Sequence, residues 1–69
     1  MKIDKDILML IAHELHGLSA ESVKKMKPTL IPQIASDYGI STKEAEMYLD
    51  EIINTFKNSL INYRVFVNI

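Results

Sequence analysis
A chain of 69 residues with a formal net charge of −1 has room for one domain and a small core. It lacks cysteine, which excludes disulfides and thiolate metal sites and fits a reducing cytoplasm. The near-neutral balance is not the basic excess of a protein that grips phosphates unaided, and the longest apolar run, Ile7 to Ala12, is too short to span a bilayer or to form a signal-peptide core.

Ile3, Ile7, Ile11 and Leu15 recur every fourth residue, which predicts a first helix from about Lys5 to His16. Asp4 is its N-cap, Asp6 suits the positive end of its dipole, and Gly17 can take the left-handed conformation that ends it. Ser19 then caps a shorter helix, Ala20 to Lys27, which Pro28 is expected to stop because the residue before a proline avoids helical geometry. Thr29 opens a third helix, Leu30 to Tyr38, with Pro32 in the first turn and Gly39 at the close. Ser41-Thr42-Lys43-Glu44 is a capping box for a fourth and longest helix, Thr42 to Leu60, striped by Ala45, Leu49, Ile52, Ile53, Phe56 and Leu60. Tyr63 to Ile69 is rich in β-formers and alternates, so a short strand or extended tail is expected, with Tyr63, Val65, Val67 and Ile69 on one face. A lone strand needs a partner, and the simplest is the same strand of a second copy.

The fold class expected is therefore all-α: a single four-helix domain over residues 1–69, with a helix–turn–helix and the C-terminal strand or tail. Its expected core is Ile7, Leu8, Ile11, Leu15, Val23, Ile31, Ile34, Ala35, Leu49, Ile52, Ile53 and Phe56.

Few residues invite chemistry. His13 and His16 share a helix face, but two imidazoles fall short of the three or four ligands of a zinc site, and solvated histidines closing a helix is the plainer reading. Ser19 and Ser41 are accounted for as helix caps, and no glycine-rich phosphate loop exists, so neither an enzyme nor a cofactor or small-molecule substrate is expected. The helix–turn–helix of Ile31 to Asp50 has Ala35 at the close approach, Gly39 in the turn and Ile40 plugging it. Its outward residues, Lys43, Glu44, Glu46, Met47, Asp50 and Glu51, are mostly acidic and oppose phosphate. Lys24, Lys25 and Lys27, with Lys43, are the candidate nucleic-acid contacts, set against the plainer reading of a solvated helix end. Met9, Met47, Ile53, Phe56, Leu60, Tyr63, Val65 and Val67 are the candidate protein interface.

From Leu30 onward the sequence resembles the N-terminal half of the bacterial HU/IHF histone-like family. The matching residues are Leu30-Ile31, Ile34-Ala35, Gly39-Ile40-Ser41, Lys43 to Glu46, Leu49-Asp50, Ile52-Ile53, Phe56 and Leu60. In that family this half builds an intertwined dimer, and the grip on DNA comes from a later sheet with basic arms. The resemblance thus implies dimerisation through the fourth helix more than DNA binding. The expectation is a non-catalytic cytoplasmic regulator or adaptor that pairs with itself and with another protein. The alternative is a DNA-associated protein touching the phosphate backbone.

Overall fold
In the computed structural model, which describes residues 3–67, the chain forms three α-helices and a C-terminal 3₁₀ turn. Helix α1 spans Lys5–Glu14. It begins where the Asp4 carboxylate accepts from the amides of Asp6 and Ile7 at 2.8 and 3.2 Å, satisfying donors that the helix itself leaves orphaned. It stops at Glu14 rather than at His16, because Leu15 leaves helical geometry and Gly17 takes a φ of +89°.

The expected second and third helices are one continuous helix, α2, Ala20–Tyr38. Pro28 does not stop a helix and Thr29 does not start one. Both prolines are exposed, and their spacing puts them on one side of α2, opposite buried Val23 and Ile34. On that side a helix that curves around the core can relieve the clash between ring and carbonyl, at the cost of a missing amide donor. Packing of the inner side therefore overrides the local preference of Lys27, which Glu46 and Asp50 also hold in place. Gly39 ends α2 with a φ of +63°, and its amide and that of Ile40 both donate to the Ala35 carbonyl, Ile40 at 3.0 Å.

Helix α3, Thr42–Thr55, opens on the expected capping box: Ser41 Oγ accepts from the Glu44 amide and Glu44 Oε1 from the Ser41 amide, each at 3.0 Å. It ends before Leu60 because Asn58 turns the chain with a φ of +66°, while the Ser59 amide and hydroxyl donate to the Phe56 carbonyl at 2.8 and 3.0 Å. Helices α2 and α3 run antiparallel along their whole length, from the Gly39 turn, through Lys27 beside Asp50, to Ala20 beside Asn58. The unit is an αα-hairpin rather than the steeply crossed pair of a DNA-reading helix–turn–helix.

Beyond α3 the chain returns to the start of α2. The Gly17 amide donates to the Ile61 carbonyl at 2.9 Å, the Ile61 amide to the Leu18 carbonyl at 2.8 Å and the Ala20 amide to the Ser59 carbonyl at 3.1 Å. This lock, an isolated antiparallel bridge between Ser19 and Leu60, is all the β-pairing among the described residues. The strand expected from Tyr63 is instead the 3₁₀ turn Tyr63–Phe66, where Asn62 Oδ1 accepts from the Arg64 amide and the Val65 and Val67 amides find carbonyls within the turn. Local bonding of this kind removes the need for a second strand. Tyr63, Val65 and Val67 do not alternate on a strand face, and Ile69 lies outside the described residues.

Phe66 is buried and meets the Phe56 ring edge-on at 5.7 Å. The core centres on Ile11, Val23, Leu49, Ile52 and Ile61. Of the expected core, Ile7, Ile31 and Ile53 are only half-buried. Tyr48, Ile61 and Phe66 join it, as do Ala12, Ala20 and Ala45, whose small side chains allow close helix approach. Among the described residues no helix is long and apolar enough to cross a membrane.

Candidate functional site: a groove at the open end of the helical hairpin
The Gly39 turn closes one end of the α2–α3 hairpin. At the other end the helices leave a groove. Ala20, Glu21 and Lys24 line it from the first turns of α2, and Ile53, Asn54, Lys57 and Asn58 from the end of α3 and the turn beyond. Residues three apart on a helix share a face, so Glu21 and Lys24 project together, while Ile53 stands on the last turns of α3 and Lys57 reaches the groove from the turn beyond it. Ala20 is small and buried, and this leaves a depression of about 240 Å³ over it. A second, more open depression of about 340 Å³ shares Glu21 and Asn58 with the first and continues over Ser19, Ser59 and Leu60. Leu60 is 62% exposed there. The lock through Ser19 and Leu60 thus builds one end of the groove.

The four candidate nucleic-acid lysines are separated by the fold. Lys24 lines the groove, and Lys25 is exposed outside it. Lys27 lies 2.6 Å from Asp50 Oδ1 and 3.3 Å from Glu46 Oε2. The hydrogen bond to Asp50 holds the ammonium proton more tightly than usual, against a smaller opposing effect of burial. Lys43 is exposed in the first turn of α3, at the Gly39 end of the hairpin. Lys24 instead shares its groove with Lys57. Among the described residues, ion pairs form at Lys27 and not at Lys24 or Lys57.

The candidate interface residues also divide. Ile53 and Leu60 belong to the groove and its extension. Phe56 is buried inside the chain, so it is not an interface residue in this fold. Tyr63 is half-buried against α1, its ring 4.4 Å from that of His13 and 5.2 Å from that of His16, and its amide donates to His16 Nδ1 at 3.4 Å. Met9 packs half-buried on the core and Met47 is half-buried on α3. Val65 and Val67 are about half exposed, at 48% and 51%. Among the described residues no three His, Cys, Asp or Glu side chains gather as metal ligands.

Glu21, Asn54, Lys57 and Asn58 are site residues that sequence reasoning passed over. Asn54, Lys57 and Asn58 read as the solvated side of a long helix. The signal that finds them is the antiparallel register set by the Gly39 turn, which brings Lys24 opposite the end of α3 once α2 is taken as a single helix. No protein-family model, curated protein or solved structure matches the chain.

Proposed function
We propose that this chain is a non-catalytic protein-interaction domain of a regulator or adaptor, and that the groove at the open end of the α2–α3 hairpin is its docking face. The observation that carries this reading is the groove itself: half-buried Ile53 over the nearly covered Ala20, exposed Leu60 as its main apolar surface at one end, and amide and charged side chains along most of its lining. A small apolar centre with a polar rim is the usual anatomy of a protein-binding patch. Nucleic acid is the weaker reading, because Lys27 is occupied by Glu46 and Asp50 and Lys43 stands at the far end of the hairpin. A second copy is a weaker occupant as well, since Phe56 and Phe66 pack within the chain and Tyr63–Phe66 is not a strand edge.

The test is site-specific photocrosslinking in the host cell, with the photoreactive residue at Leu60 and, as control, at exposed Ser36. The expected result is a discrete, nuclease-resistant protein adduct from position 60 and none from position 36. Adducts to nucleic acid, or no adduct from position 60, would overturn the reading; an adduct of twice the chain mass would assign the face to a second copy instead.

A further inference from the structure
We propose that the groove receives an acidic peptide segment of the partner protein, seating one apolar side chain on Ala20 and Ile53 with carboxylates against Lys24 and Lys57. This rests on the protein-interaction reading above. The argument is charge complementarity. Lys24 and Lys57 are both exposed and both line one depression, and among the described residues neither has a carboxylate partner. Lys27, one helical turn from Lys24, is fully engaged by Glu46 and Asp50, so carboxylates are not lacking on this surface. The chain carries a net charge of −1, yet two lysines against one carboxylate line this groove, and concave walls focus such a field. Glu21, the carboxylate in the lining, sits in the first turn of α2, where it complements the helix dipole.

The remaining lining selects peptide over nucleic acid. Asn54 and Asn58 each offer both an amide donor and an acceptor, which suits a peptide backbone. The lining contains no aromatic ring on which a base could stack, and it carries a carboxylate, Glu21, that opposes phosphate.

The experiment is an NMR titration of the ¹⁵N-labelled chain with three probes: a short peptide alternating Glu with Leu, the same peptide with Lys for Glu, and a short DNA duplex. The expected result is amide shifts at Lys24, Ile53, Asn54 and Lys57 with the acidic peptide alone. Affinity should fall at least tenfold in the double variant Lys24→Glu/Lys57→Glu, fall several-fold on raising the salt, and hold in Lys43→Glu. The neutral variant Lys24→Gln/Lys57→Gln, altered only at exposed positions, guards against misfolding and should bind with intermediate affinity. Equal response to the basic peptide, a stronger response to the duplex, or shifts centred away from the groove would overturn the proposal. Protein crosslinks from Leu60 together with no peptide shifts would refute the acidic preference and leave the docking face standing. Peptide shifts without cellular crosslinks would remove the docking role and leave the acidic preference standing.

Discussion
Tyr38 donates its hydroxyl to Glu14 Oε2, tying the end of α2 to the end of α1. Burial, and then that hydrogen bond to a carboxylate, raise the phenol pKa well above the usual 10.0. The native state therefore holds this proton more tightly than the unfolded chain does. The resulting stability is fully present below about pH 10 and is lost as the pH rises beyond it, where the unfolded tyrosine ionises and the native one resists. Lys27, with its pKa also raised from 10.5, acts in the same direction. Tyr38→Phe should abolish the Tyr38 share of this alkaline loss. A phenolate absorbance titration of the two proteins checks it: the difference curve should have its midpoint clearly above pH 10, and a midpoint at or below 10 would refute the contact. Of this pair the sequence displays only that Tyr38 faces inward; the reach to Glu14 depends on how α1 lies on α2, which no local pattern encodes.

Helix α2 is where local rules and tertiary structure disagree most. Its caps were readable: Ser19 accepts from the Ser22 amide at 3.1 Å, and Gly39 closes the helix in the left-handed conformation. The prolines were misleading, because a rule about the residue before proline describes a backbone preference and not the packing opposed to it. Pro28 leaves the Lys24 carbonyl without its helical donor, so Pro28→Ala restores a hydrogen bond within α2. The expected effect is a gain of about 1–2 kcal/mol, the helical cost of proline reduced by the added freedom of the unfolded chain. Urea unfolding followed by far-ultraviolet circular dichroism measures it, and a loss of stability would contradict an uninterrupted α2. Asn58 misled in the opposite sense. Nothing in the stripe of α3 announces that its chain adopts a φ of +66° there, and only the return of Ile61 into the core accounts for it.

Taken whole, the molecule is a helical hairpin with α1 on one side and the C-terminal turn laid across α1. A domain of this length has little core to spare, so each buried aromatic carries weight. Phe66→Ala should cost about 3 kcal/mol, and Val65→Ala, at a position 48% exposed, about 0.5 kcal/mol or less. Equal, negligible effects of the two in chemical denaturation would mean that the C-terminal turn does not pack as described. The helical class and nine of the twelve expected core residues follow from periodicity, because burial of one helix face is a local pattern. The groove does not follow from it. In the sequence Lys24 points to phosphate and Ile53 to a protein interface, and only the antiparallel register of α2 and α3 unites them. The hydrogen bond that the Ala20 amide donates to the Ser59 carbonyl has a thermodynamic consequence. The segment that closes the chain on itself also forms the rim of the groove, so an occupant bound there is coupled to the integrity of the whole fold. A ligand present at a hundred times its dissociation constant would raise the unfolding free energy by about 2.7 kcal/mol, a large increment for so short a polypeptide.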